Sequence, residues 1–220
     1  MPRKNISFKT SDGLTLKGWF CTPDKSSGKL PCLVMAHGWS ALKEMDLDAF
    51  AEYFTLKLAI GCLVYDNRCF GDSEGEPRHE IIPSLQQSDY SDAITYAQSL
   101  EEVNAEKIGV WGSSYSGGHV LLVGAVDRRV KAVLGQVVEL LRANDPSLQI
   151  HRIAPTPLLL TVAENDVLTP TDLSLEAYSR AREPKQLHII PGGHFDGYTG
   201  FNFEKNAGCQ AEFLKRTLCS

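Results

Sequence analysis

The chain has no long apolar run, no concentration of positive charge and no paired-cysteine motif. No stretch approaches the roughly 20 apolar residues that a membrane-spanning helix needs. Lys plus Arg number 22 against 27 Asp plus Glu, for a net charge of −5, and no basic cluster stands out. Neither nucleic acid nor an anionic membrane is therefore an expected partner. The six cysteines, Cys21, Cys32, Cys62, Cys69, Cys209 and Cys219, include no Cys-x-x-Cys pair and none at zinc-finger spacing from a histidine. They read as reduced thiols, several in apolar strand-like runs where a free cysteine acts as a small hydrophobe; Cys69 and Cys219 are the two expected at the surface. Met1 to Phe8 carries basic residues with no apolar segment behind them, so no secretory signal is expected and the expected location is the cytoplasm. There is no His-x-x-x-His cluster and no glycine-rich loop after the first parallel strand, so neither a metal nor a cofactor is expected. No repeat, linker or composition break divides residues 1–220, which are expected to form one domain large enough to bury its own core.

What is present is an alternation of short apolar runs and helical patterns. Asn5 to Lys9 and Leu14 to Phe20 flank Thr10-Ser11-Asp12-Gly13, a hairpin signature. Leu30 to Ala36 is almost continuously apolar, as in a strand covered on both faces. Leu47, Phe50, Ala51 and Phe54 then recur at helical spacing. The pattern repeats: strand Cys62–Tyr65, helix Ser88–Ser99, strand Ile108–Trp111, helix Gly117–Val126, strands Val130–Leu134 and Pro157–Val162, helix Leu173–Ala181, strand Gln186–Ile190 and an amphipathic helix Asn206–Leu218. A hairpin followed by alternating strands and helices predicts an α/β fold, a mainly parallel, doubly wound sheet of about eight strands.

The strongest chemical signal is Trp111-Gly112-Ser113-Ser114-Tyr115-Ser116-Gly117, where a strand runs into a helix through small residues. A serine exposed on such an elbow needs small neighbours two positions either side, because side chains there would strike the adjoining strand and helix. Ser114 has Gly112 and Ser116 in those slots. Ser113 would place Trp111 in one of them, and Ser116 lies too far into the helix. The plain alternative is a Gly/Ser-rich turn without chemistry; the lysine and spacing of a phosphate loop are absent.

A serine hydroxyl needs a base to accept its proton. Of the six histidines, His194 stands in Pro191-Gly192-Gly193-His194, a glycine-made loop just past the last strand. A loop there can reach a nucleophile at the same sheet edge. His188 inside a strand and His119 on the elbow helix read as structural, His79 and His151 as loop residues, and His37 as a buried support for the loop after Ala36. Asp166, after the buried run Leu158 to Ala163, is the carboxylate placed to orient the imidazole; Glu164 and Glu139 are reserves, and Asp166 also suits a helix start. The order Ser114, Asp166, His194 is that of an α/β-hydrolase triad. Two N–H donors are needed for an oxyanion: Tyr115, following the nucleophile, and Trp39, in His37-Gly38-Trp39-Ser40.

Together His37-Gly38, Tyr65-Asp66-Asn67-Arg68-Cys69-Phe70-Gly71-Asp72-Ser73, the Ser114 elbow, Asp166 and Pro191-Gly192-Gly193-His194 resemble the α/β-hydrolase superfamily across nearly the whole chain. The runs His151 to Pro157 and Ala163 to Pro170 resemble its dienelactone-hydrolase-like group, which includes fungal polyketide transferases and thiohydrolases. The Ser114-Tyr115 pair is similar, more weakly, to the cocaine-esterase and Xaa-Pro-dipeptidase branch. Members often read Asp-x-Arg-Gly-x-Gly-x-Ser in the second block; here Cys69 replaces the first glycine, which implies a differently shaped loop. Polyketide-transferase relatives carry a long helical lid where only residues 135–156 stand, with room for one helix over Val137–Asp145. Against that pattern, either the enzyme is a lidless minimal one or a lid has been lost from this chain, and in both cases the site is expected to be open.

The leading expectation is a serine hydrolase of esters or thioesters acting on a small-molecule acyl substrate through an acyl-enzyme on Ser114. A second reading passes the acyl group to an alcohol; an open site favours water as acceptor. A third is a non-catalytic binding member of the fold. Trp39, Phe70, Tyr115, Phe195 and Tyr198 flank the predicted catalytic loops and suit pocket wall or core packing equally. The substrate-binding residues stay unassigned, and both monomer and homodimer stay open.

Overall fold

The computed structural model describes residues 2–138 and 145–220. The strands are β1 (Arg3–Lys9), β2 (Thr15–Cys21), β3 (Leu30–Ala36), β4 (Gly61–Tyr65), β5 (Val103–Ser113), β6 (Val130–Gln136), β7 (Leu158–Ala163) and β8 (Lys185–Ile190). The helices are α1 (Leu47–Lys57), α2 (Pro83–Ser99), α3 (Ser114–Val126), α4 (Thr171–Arg180) and α5 (Gly200–Thr217), with a 3₁₀ helix at Pro146–Arg152. One eight-stranded sheet runs β1-β2-β4-β3-β5-β6-β7-β8. The β1–β2 and β2–β4 pairs are antiparallel and every other pair is parallel. This is the mainly parallel, doubly wound sheet expected from the alternation of runs, in the α/β-hydrolase arrangement that the resemblance implies.

Burial explains the element types. All residues of β3, β4 and β7 are buried, as parallel strands between helical layers must be. Successive residues serve opposite faces: Leu33 and Met35 pack with Phe50, Phe54 and Leu214 of α1 and α5. Cys32 and Val34 pack with Tyr90, Ile94 and Leu121 of α2 and α3. The helices thus sandwich the sheet, and the chain reverses its strand order around β3 and β5, so the loops at their carboxyl ends open a crevice.

Several boundaries differ from the sequence reading. Helix α2 starts at Pro83, five residues before the expected Ser88, because Pro83 is preorganised for a first-turn position. Strand β5 begins at Val103, and α5 begins at Gly200. Helix α3 begins at Ser114 itself, with no intervening turn. His151, expected in a loop, lies in the 3₁₀ helix. Cys69, expected at the surface, is buried, and Cys219 is half-buried. Of the helix expected over Val137–Asp145, Val137 is in the left-handed region at φ 43° and Asp145 caps the 3₁₀ helix through the Ser147 N–H. Residues 139–144, Glu139 among them, lie outside the described residues. Among the described residues, no helix is long and apolar enough to cross a membrane.

Where α2 and α3 meet, the buried His119 ring donates from Nε2 to Gln86 Oε1 (3.0 Å) and faces the Gln87 amide through Nδ1 (3.3 Å). Burial pushes its pKa down to about 4 from the ordinary 6.5, so the ring is neutral at pH 7. The unfolded chain then binds a proton that the folded chain refuses, and stability is full above pH 6.5 and drains away towards pH 4. Thermal denaturation between pH 7 and 4.5 tests this. The His119→Gln variant should lose less stability over that interval than the parent; equal losses would show that His119 does not drive the acid limb.

Candidate active site

Ser114 is held at φ 51°, in the left-handed region that a non-glycine residue occupies at a cost of about 1–3 kcal/mol. Two close approaches enforce it. At Gly112, a Cβ would run into the backbone carbonyl of Ser116, one turn into α3. At Gly38, a Cβ would stand 2.5 Å from Ser113 O and 2.7 Å from both Ser114 Cβ and Tyr115 N. The loop after β3 therefore presses directly on the start of α3. This brings the Trp39 segment beside the Tyr115 segment, and their rings meet edge to face at 5.0 Å. Trp39 has a positive φ of 31°, a second departure from ordinary backbone geometry at the same spot.

A buried polar lattice fixes that contact. The Ser116 hydroxyl donates to the His37 carbonyl (2.5 Å), as does the Asn67 amide (2.7 Å). The His37 ring meets the Ser113 hydroxyl through Nδ1 (3.0 Å) and the Met45 carbonyl through Nε2. Burial lowers the His37 pKa, so the neutral ring donates from Nε2 to Met45 and accepts from Ser113. His37 thus supports its loop, as expected. The serine that replaces the second glycine of the elbow pattern bonds to the neighbouring loop.

The expected acid and base also come together. His194, just past β8, and Asp166, just past β7, are joined by a 2.8 Å bond between Nδ1 and Oδ2. Both side chains are buried. Asp166 further accepts the N–H groups of Leu168 (2.9 Å) and Thr169 (2.8 Å) and the Thr169 hydroxyl (2.6 Å). Burial raises the Asp166 carboxyl, but the Thr169 bonds and His194 outweigh it and hold it below its ordinary value. It is therefore a carboxylate at neutral pH. The reserve Glu164 has an exposed side chain. The His194 loop is anchored from behind: the Asn206 amide donates to Gly197 O (3.0 Å) and to Gln136 Oε1 (3.1 Å).

Ser114 and His194 line one cleft of about 630 Å³ with His37, Trp39, Met45, Leu168, Phe195 and Tyr198. Of the five aromatic residues left between wall and core, Trp39, Phe195 and Tyr198 line this cleft. Tyr115 is buried between the rings of Trp39 and His119, and Phe70 lines a neighbouring cavity. Sequence reasoning missed Asn67, Ser113 and Thr169. Only Thr169 left a signal, an Asp-x-x-Thr spacing in which the carboxylate caps the next turn. Among the described residues, no group of three or more His, Cys, Asp or Glu side chains could hold a metal ion.

Residues 12–140 match the family model described as X-Pro dipeptidyl-peptidase (S15 family). The thiohydrolase of Eupenicillium brefeldianum is 29% identical over 294 residues, covering 97% of this chain and 94% of that protein. Polyketide transferase claH of Penicillium crustosum is 32% identical over 210 residues, covering 86% of this chain and 68% of that protein. The α/β hydrolase GrgF from Penicillium sp. sh18 superposes with a TM-score of 0.91 at 26% identity, over 100% of both chains. Fold and relatives together define a hydrolase or acyl-transferring enzyme. The chain belongs to the S15 family of the α/β-hydrolase superfamily, on the branch of fungal thiohydrolases and polyketide transferases. The first of these alignments is longer than this chain of 220 residues, so that relative carries segments absent here.

The Gly38 contact predicts a specific sensitivity. Gly38→Ala forces a methyl group into the elbow and should destabilise the fold by about 1–3 kcal/mol. A drop of several degrees in Tm is expected; an unchanged Tm would show that the two segments do not pack this closely.

Proposed function

We propose that the protein is a serine hydrolase that cleaves carboxylic esters or thioesters through an acyl-enzyme on Ser114. The observation that carries this reading is the 2.8 Å Asp166–His194 bond at the rim of the cleft that also receives Ser114 from its left-handed elbow. A bond at Nδ1 leaves Nε2 of His194 to take the proton from the Ser114 hydroxyl as it attacks the substrate carbonyl. Asp166, an ionised carboxylate that is itself buried, stabilises the imidazolium that forms. The N–H groups of Tyr115 and Trp39 receive the developing oxyanion. His194 then protonates the departing alcohol or thiol, activates a water molecule and releases the acid.

Ester and thioester bonds are favoured over peptide bonds because the relatives that match most of the chain are named thiohydrolase and polyketide transferase, whereas the peptidase model matches residues 12–140. Those names also support acyl transfer as a second reading. Between β6 and β7 the described residues hold one 3₁₀ helix, and an uncovered acyl-enzyme is open to water, which supports hydrolysis.

Turnover of p-nitrophenyl and thioester substrates tests the assignment. Ser114→Ala and His194→Ala should each lower kcat by about 10³-fold or more, and Asp166→Asn by about 10²- to 10⁴-fold, with folds intact by circular dichroism. Retention of activity in folded Ser114→Ala would overturn the reading.

A further inference from the structure

Beyond the catalytic cleft lies a second cavity of about 440 Å³, and the two share Trp39, Ser40 and Met45 as a common wall. The geometry points to a continuous substrate path: we infer that the second cavity is an acyl subsite ending at Arg78, which takes an acyl chain bearing a terminal carboxylate. This rests on the hydrolase reading above.

Direction comes from the chemistry. The leaving group must stay beside His194 to collect its proton, and no residue from the loops after β7 or β8 lines the second cavity. What extends there, past Trp39 and away from His194, is the acyl portion. The walls formed by Leu42, Met45, Phe70 and Ile81 are apolar and suit methylene groups. At the wall the Arg78 guanidinium is fixed by two carbonyls, Nη1 donating to Ser73 O and Nη2 to Gly71 O (2.7 Å). Those bonds position it without neutralising it: among the described residues Arg78 makes no ion pair, whereas Lys43, Arg68 and Arg129 each face a carboxylate. A guanidinium has five donors in a planar fork, so three remain after the carbonyl bonds, and its shape matches a carboxylate. His79, its ring 5.6 Å from that of Phe70, closes the same wall. A monoester or monothioester of a short dicarboxylic acid satisfies both the apolar passage and the cationic end.

Binding separates this proposal from catalysis. In Ser114→Ala protein, calorimetry with monomethyl succinate, glutarate and adipate should find one length that binds roughly tenfold or more tightly than methyl butyrate. Adding Arg78→Gln should abolish that preference, leave methyl butyrate binding within about two-fold, and Arg78→Lys should keep part of it. Equal binding of charged and neutral esters, or equal weakening of both by Arg78→Gln, would overturn the subsite. In active protein, the matching mono-p-nitrophenyl ester should show a KM raised about tenfold by Arg78→Gln at unchanged kcat. Loss of the hydrolase reading would instead appear as absent turnover of every ester, while the binding preference persisted.

Discussion

The close approach of three backbone segments at the junction of β5 and α3 governs everything else at the site. Gly38, Gly112 and the first turn of α3 leave no room for side chains between them, and Ser114 is driven to φ 51° as a result. A residue in that conformation turns its side chain out of the strand and helix and into the cleft. The strain of about 1–3 kcal/mol is small beside the burial that surrounds it, since Trp111, Val110 and Val120 are fully buried on either side. The same crowding brings the peptide after Gly38 next to the peptide after Ser114. The proposed nucleophile and oxyanion donors are thus set by one packing event rather than by separate ones.

The polar interior reinforces that geometry from behind. His37 holds Ser113 and Met45 with its ring and receives Ser116 and Asn67 at its carbonyl, so the loop after β3 is tied to strand, helix and the β4 loop together. On the far side, the Trp111 indole donates to Gln210 (2.6 Å), and Gln210 and Asn206 both donate to Gln136 Oε1. Because Asn206 also holds Gly197, α5 connects the floor of β5 and β6 to the loop that carries His194. In a low-dielectric interior each such bond is strong, and the network is not fully satisfied: Asn67 Oδ1 and Gln136 Nε2 are buried without a partner among the described residues.

Much of this was legible in the residues. Small neighbours around Ser114, the glycine loop before His194 and the carboxylate after β7 each express a local steric or chemical need, so they survive as sequence patterns. What escaped were partners chosen by the fold. Nothing near Asn67 or Ser113 announces a bond to residues some 30 and 76 positions away. Cys69 shows the limit in another form. It stands where relatives often have glycine, yet it keeps a left-handed backbone at φ 68° and is buried, with its thiol pressed against Gly75. The residue thus keeps the left-handed backbone that glycine favours while adding a thiol. Arg78 carried no signal at all, because its meaning depends on an apolar cavity assembled from the loops after β3 and β4.

Covalent labelling tests most directly whether Ser114 is the nucleophile. Incubation with a fluorophosphonate followed by peptide mass mapping should place a single adduct on Ser114, with labelling abolished in His194→Ala. An adduct on Ser113, Ser116 or another serine, or no adduct on the folded protein, would contradict that role for Ser114.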